Sequence, residues 1–117
     1  MPGIADRADL KGRKAAVIGG GLGIGRAISL ALAQCGVDLA ISDRAADELS
    51  ETLAAAKACS VTAFARHFDA LDVAALGRFY DEIATQFGSL DIVVNVVGGC
   101  DFGMAFDDTS PTKSARL

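Results

Sequence analysis

Apolar runs and amphipathic stretches alternate regularly along the 117 residues. Short apolar runs typical of buried β-strands lie at about 14–19, 37–42, 61–68 and 91–97. Hydrophobic residues three or four positions apart predict three helices between them, at about 23–35, 45–58 and 73–87. Strands that alternate with helices along the chain usually pair in parallel, and the helices between them form right-handed crossovers. The pattern therefore predicts an α/β fold with a doubly wound sheet.

Individual elements carry finer expectations. The run 61–68 alternates loosely and is typical of a sheet edge, whereas 91–97 is almost continuous Val and Ile, as in a parallel strand covered on both faces. The helix at 23–35 is apolar on most sides, which predicts burial between the sheet and other elements. Asp72 is placed to cap the third helix. We interpret His67 as a partly buried structural residue and Tyr80 as a packing residue.

A glycine-rich turn joins the first strand to the first helix. Glycines allow a sharp turn and a close approach of the backbone to a ligand, and the N–H groups of the following helix favour an anion. The sequence therefore predicts a pyrophosphate site, although a purely structural turn in another α/β protein is the alternative. The turn residues assigned to this site are Gly19, Gly21, Leu22, Gly23, Ile24 and Gly25.

An acidic residue ends the second strand. Asp43 follows Gly23 by twenty positions, close to the spacing at which a carboxylate accepts hydrogen bonds from an adenosine ribose. In a doubly wound sheet of order 3-2-1-4, a ligand lies across the carboxyl ends of strands one and four. The turn Gly19–Gly25 and the pair Gly98–Gly99 would then meet at one crevice. If the turn is only structural, Asp43 is a solvated loop residue.

Composition and charge narrow the function classes. With 51% apolar and 22% charged residues, the chain is expected to pack a core as one domain. A net charge of −4 without a basic run argues against nucleic-acid binding. Three cysteines without a CxxC pair, and a single histidine, predict buried thiols in a reducing compartment rather than a metal site. We find neither a membrane-length apolar stretch nor a secretory signal, and expect a cytoplasmic protein.

Four segments, in order, resemble the signatures of the short-chain dehydrogenases/reductases. Ile18–Gly25 is similar to the TGxxxGIG cofactor turn, with Ile18 in place of Thr, and Asp43 matches the acid after strand two. Asp69–Asp72 resembles the DVTD segment. Asp91–Gly98 resembles DILVNNAG, with valines in place of the second Asn and the Ala. The resemblance extends over about residues 10–110.

The resemblance implies a Rossmann-like NAD(P)-binding domain formed by residues 1–117, truncated after about four strands. It adds Asp69 and Ala70, on the adenine side, and Asn95 and Gly98 to the cofactor-binding residues. A carboxylate near the ribose repels a 2′-phosphate, so Asp43 favours NAD over NADP. Leu22 offers no positive charge to such a phosphate, whereas Arg44 could turn toward one.

The family's hydride transfer between nicotinamide and a carbonyl or alcohol uses a Ser, and a Tyr and Lys four residues apart. The one tyrosine here, Tyr80, is followed four positions later by Ala84, so no catalytic residue is assigned and the catalytic positions would lie beyond Leu117. We therefore expect the cofactor-binding N-terminal part of an oxidoreductase, with a small-molecule substrate only in a full-length relative. The alternatives are a non-catalytic NAD(H)-binding module that dimerises through strand four, and a non-functional gene remnant.

Overall fold

The computed structural model describes residues 9–96. All seven predicted elements are present, with ends that differ from the predicted ones by a few residues. They are β1 (Lys14–Ile18), α1 (Gly23–Gln34), β2 (Asp38–Asp43), α2 (Ala46–Lys57), β3 (Ala63–His67), α3 (Val73–Phe87) and β4 (Ile92–Asn95). The predictions for Val97, Gly98–Gly99 and Cys100 fall outside the described residues.

The four strands form one parallel sheet in the order β3-β2-β1-β4, which confirms the predicted fold class and strand order. Ile18, at the end of β1, pairs with Ser42 of β2 on one side and with Asn95 of β4 on the other. The carboxyl ends of three strands therefore meet at one edge, where the chain order reverses across β1. This is the edge at which doubly wound sheets bind ligands.

The two faces of the sheet are covered by different helices. On one face, Val17, Leu39 and Ile41 pack with buried residues of α1 and α2. On the other face, α3 contributes Phe79 and Ile83 to a second core cluster. Because helices cover both faces, β1 and β2 are buried on both sides. Successive residues of a strand point to opposite faces, so all of them meet a core, which explains the nearly continuous apolar sequence of these strands.

Two predictions of burial are wrong for the described residues. β4 is not covered on both faces, because Val93 is 53% exposed. The strand residues packed against α3 belong to β1, β2 and β3, which leaves the α3 face of β4 open. In α1, Ile24 is 72% exposed because it lies in the first turn, at the carboxyl edge of the sheet, rather than between the sheet and another layer.

Two smaller interpretations also need correction. His67 is exposed rather than partly buried, because it ends the edge strand β3. Cys35 and Cys59 are half-buried thiols at helix ends rather than fully buried residues. Tyr80 is half-buried and packs against the α3 core cluster, with its ring centroid 6.2 Å from that of Phe79, in agreement with a packing role.

Asp72 caps α3 as predicted, and this allows a first test. Its Oδ1 accepts a hydrogen bond of 3.1 Å from the Ala75 N–H, one of the donors that the helix cannot satisfy internally. We expect Asp72→Ala to lower the free energy of unfolding by about 1 kcal/mol in urea titrations followed by circular dichroism. Asp72→Asn, which keeps an acceptor, should lose much less, and equal losses in the two variants would contradict the capping role.

Candidate functional site

The glycine turn after β1 is tied to the end of β2 by backbone hydrogen bonds. The N–H groups of Gly19 and Gly20 both donate to Ser42 O, at 2.8 and 3.0 Å. Gly19 has φ of +85° and Gly23 has φ of +59°, a region that favours glycine. The turn therefore has a defined position at the carboxyl edge of the sheet, directly beside the predicted ribose acid.

Close packing of α1 on the turn explains the last glycine. A Cβ atom on Gly25 would lie 1.9 Å from Gly19 O and 2.9 Å from Gly20 Cα, both backbone atoms. Only a residue without a side chain allows the helix to begin this close to the end of the strand. Gly25 thus determines where the first turn of α1, with its N–H groups, lies relative to β1.

Asp43 is held at the turn by both of its carboxylate oxygens. Oδ2 accepts a hydrogen bond of 2.9 Å from the Gly21 N–H, and Oδ1 accepts one of 3.0 Å from the Ala45 N–H. A Cβ atom on Gly21 would lie 2.9 Å from Asp43 Cβ. The absence of a side chain at Gly21 therefore permits the carboxylate to approach the turn, and two backbone donors then fix its position.

Two buried hydroxyl groups hold the turn from the interior, and the sequence reasoning missed both. Thr52 Oγ1, in α2, donates a hydrogen bond of 2.7 Å to Gly21 O. Ser29 Oγ, in α1, donates a longer one of 3.4 Å to Gly20 O. Both residues are fully buried. Ser29 interrupts the apolar face of its helix, a signal that could have been used, since a buried hydroxyl requires a partner.

The start of α1 differs from those of the other two described helices. α3 begins with the Asp72 cap, and α2 carries Asp47 and Glu48 in its first turn. α1 has neither a side-chain cap nor an acidic residue in its first turn. Unpaired helix N–H groups and the positive end of the helix dipole favour an anion, so the residues present fit a pyrophosphate.

A cleft of about 420 Å³ lies at the carboxyl edge of the sheet and collects much of the predicted site. The predicted residues that line it are Gly19, Leu22, Asp43, Arg44, Asp69 and Ala70. Four further lining residues were not predicted: Ser42, Phe68, Leu71 and Val96. Each of the four lies within or directly beside a segment that resembles a family signature, but only the packed sheet shows that they line the cleft.

The remaining predicted residues lie around the cleft or outside the described part of the chain. Gly21, Gly23, Ile24 and Gly25 belong to the turn and the start of α1, but they are not among the lining residues. Asn95 is paired with Ile18 at the end of β4 and is also outside the lining. Gly98 lies outside the described residues.

Local hydrogen bonds shape the part of the cleft that is formed by the turn after β3. Asp69 Oδ1 accepts a hydrogen bond of 2.9 Å from the Leu71 N–H and closes the turn after β3. His67 Nε2 donates to Arg44 O at 2.9 Å, which joins the ends of β2 and β3. Among the described lining residues, the charged groups are the exposed Arg44 side chain and the carboxylates of Asp43 and Asp69.

Two other kinds of feature are absent from residues 9–96. No group of three or more His, Cys, Asp or Glu side chains there could hold a metal ion. None of the helices in that range is both long and apolar enough to cross a membrane.

Comparison with known proteins gives a consistent family. The family model for short chain dehydrogenases matches residues 13–116. An uncharacterized oxidoreductase of Mycobacterium tuberculosis is 36% identical over 96 residues, which cover 82% of this chain and 36% of that protein. L-rhamnose 1-dehydrogenase (NADP(+)) of Thermoplasma acidophilum is 39% identical over 98 residues, 80% of this chain and 37% of that protein.

A solved structure that is similar to this chain comes from the same family. A short chain dehydrogenase from Mycobacterium paratuberculosis bound to NAD is 30% identical with a TM-score of 0.74, and the match covers 89% of this chain and 43% of the other. The chain therefore spans a little over a third of the length of these curated relatives, 36% and 37%. With the family model matched over most of its length, the chain belongs to the short chain dehydrogenase family.

Proposed function

We propose that this chain binds NAD(H) across the cleft at the carboxyl edge of the sheet. The pyrophosphate lies against the glycine turn and the start of α1, and the adenosine ribose bonds to Asp43. The adenine lies by Asp69 and Ala70, which line the same cleft. The observation that carries the proposal is the Asp43 carboxylate, held at the cleft by the Gly21 and Ala45 N–H groups. The NAD named with the related Mycobacterium paratuberculosis structure supports it.

We further propose that NAD is preferred over NADP. A carboxylate fixed by two backbone donors cannot turn away from a 2′-phosphate without losing both bonds, and it repels that phosphate. Leu22, which also lines the cleft, carries no charge that would offset the repulsion. The Arg44 guanidinium in the lining would attract a 2′-phosphate, and the Thermoplasma relative is named for NADP(+); we propose that the fixed Asp43 carboxylate outweighs Arg44.

In a full-length relative, we propose hydride transfer between the nicotinamide and a carbonyl or alcohol in the cytoplasm. Residues 1–117 supply the dinucleotide site but not the proton donor. Their single tyrosine, Tyr80, packs against Phe79 on the α3 side of the sheet rather than lining the cleft. We therefore expect no reduction of NAD by the purified 117-residue chain with alcohols, and measurable turnover would contradict this division of roles.

Calorimetric titration of the 117-residue chain with NADH, and separately with NADPH, tests the proposal. We expect saturable NADH binding that weakens about tenfold in Asp43→Asn, because a ribose hydroxyl loses a charged acceptor. The NADPH affinity should rise or stay constant in that variant, since the repulsive charge is gone. A folded chain that does not bind NADH would make the turn purely structural, and non-cooperative unfolding with NADH present would favour a non-functional remnant.

One observation favours the alternative of a non-catalytic module that self-associates. β4 has no strand on its outer side among residues 9–96, and Val93 is 53% exposed beside that edge. An unpaired strand edge is a template for pairing with another chain. Under this alternative, sedimentation would show an NADH-binding dimer that Val93→Lys converts to a monomer, whereas a wild-type monomer would exclude it.

A further inference from the structure

We infer that Thr52 is a positioning residue that sets the choice between NAD(H) and NADP(H), acting through Gly21 on the Asp43 carboxylate. Thr52 lies on α2, outside the glycine turn and outside the lining of the cleft. The inference rests on the proposed function, because it concerns the same dinucleotide site. It adds a residue that no cofactor motif marks.

Gly21 is held on both sides of its Cα atom. Its N–H donates to Asp43 Oδ2 at 2.9 Å, and its carbonyl oxygen accepts from Thr52 Oγ1 at 2.7 Å. The two groups belong to the successive planar peptides on either side of the Gly21 Cα, so together they fix the φ and ψ angles of a residue that is otherwise free to rotate. Thr52 therefore fixes the peptide that follows Gly21 and limits rotation about the Gly21 Cα. The preceding peptide carries the N–H that donates to Asp43, and its Gly20 O is held by Ser29 Oγ at 3.4 Å.

The Thr52 hydroxyl is itself fixed. Thr52 is fully buried, and its β-branched side chain has restricted χ1 freedom. Arg26, on α1, approaches from the other side with NH1 3.4 Å from Thr52 Oγ1. A chain of hydrogen bonds thus extends from α1 through α2 to the turn and ends on the carboxylate at the ribose side of the cleft.

Loss of the hydroxyl should release this chain. In Thr52→Val, Gly21 O would be left buried without its partner, and the peptide would rotate or shift to find another. The Gly21 N–H would then leave Asp43 Oδ2, and the carboxylate would keep only the Ala45 N–H. A freed carboxylate binds the ribose less well and can turn away from a 2′-phosphate, so discrimination falls.

The test is calorimetric titration of NADH and NADPH into the 117-residue chain and its variants. We expect the ratio of the NADPH Kd to the NADH Kd to fall about tenfold in Thr52→Val, the loss that one released buried hydrogen bond corresponds to. Thr52→Ser, which keeps the hydroxyl, should retain most of the wild-type ratio. Thermal unfolding of each variant separates this effect from a general loss of stability.

A second probe of the turn and one matched control accompany this test. Ser29→Ala removes the other buried hydroxyl, whose partner Gly20 O belongs to the same peptide group as the Gly21 N–H. This variant should therefore also lower the ratio, but by less than Thr52→Val, because its hydrogen bond is longer, at 3.4 Å. Thr85→Val makes the same chemical change at an exposed site in α3, where the hydroxyl bonds only to Asp81 O at 3.1 Å, and should change neither Kd.

The outcomes separate the role of Thr52 from the proposed function. A wild-type ratio in folded Thr52→Val, with the wild type preferring NADH, overturns the role of Thr52 and leaves the proposed function intact. A wild type that binds neither ligand overturns both. If Thr52→Val does not fold, Arg26→Met replaces it: the half-buried Arg26 can be changed without emptying the core, and the ratio should fall about twofold through the weaker bond. An unchanged ratio in that variant overturns the inference.

Discussion

Replacing Gly25 by alanine is expected to remove the folded state of this chain. The added Cβ atom would lie 1.9 Å from the backbone atom Gly19 O, and since the backbone fixes the position of Cβ, no side-chain rotation relieves the overlap. α1 would have to move away from the end of β1, which would disrupt the packing of the helix on the sheet. We expect a loss of about 4 kcal/mol or more in the free energy of unfolding, together with loss of NADH binding.

Gly77→Ala is the matched control for this prediction. Gly77 is exposed in the middle of α3, and a Cβ atom there would have no neighbour within 4 Å. Alanine is the better helix former, so this variant should gain about 0.5–1 kcal/mol in urea unfolding. A Gly25→Ala chain that unfolds at the wild-type urea concentration would show that the turn can open without cost, against the close packing described above.

Phe79→Ala is expected to cause the second large loss. Phe79 is 2% exposed at the centre of the α3 face, with its ring centroid 6.1 Å from that of Phe64 and 5.4 Å from that of Phe68. Truncation removes buried apolar area and leaves a cavity between α3 and the sheet, at a cost of about 3–5 kcal/mol. Phe68 also lines the cleft, so a variant that still folds should bind NADH more weakly.

Val73→Ala controls for truncation elsewhere in the same helix. Val73 is 79% exposed in the first turn of α3, so the change should stay within about 0.5 kcal/mol. Equal effects of the two substitutions on urea unfolding would mean that α3 does not pack against the sheet through Phe79. NADH titration of both variants then shows whether the aromatic cluster supports the cleft.

Much of the fold was predictable because it depends on periodicity and on local chemistry. Strands such as Asp38–Asp43 are short apolar runs bounded by glycine or polar residues, and the helices repeat their hydrophobic residues at helical spacing. The cap on α3 was predictable for the same reason, since Asp72 and the Ala75 N–H are only three residues apart. Strand order followed from the doubly wound pattern, in which the chain starts in the middle of the sheet and reverses direction after the third strand, so that right-handed crossovers place helices on both faces.

Burial at the edges of the sheet was not predictable in the same way. Val93 and Val94 look alike in the sequence, yet Val93 lies on the face that α3 leaves open and is 53% exposed. Ile24 belongs to an apolar helix but lies in its first turn, at the carboxyl edge of the sheet, and is 72% exposed. In both cases exposure depends on where neighbouring elements end.

In the candidate site, too, some residues were predictable from the sequence and others were not. The glycine turn and the carboxylate beside it were predictable from residue types and spacing, because a close backbone approach requires glycine and the proposed ribose acceptor, Asp43, is an acid at the end of β2. Thr52 was not evident: it lies 31 positions from Gly21, and only the packing of α2 beside the turn brings its hydroxyl to 2.7 Å from the Gly21 carbonyl. Local motifs therefore identify the groups that would face the dinucleotide, whereas the contacts that orient those groups come from distant parts of the chain and exist only once the layers have packed.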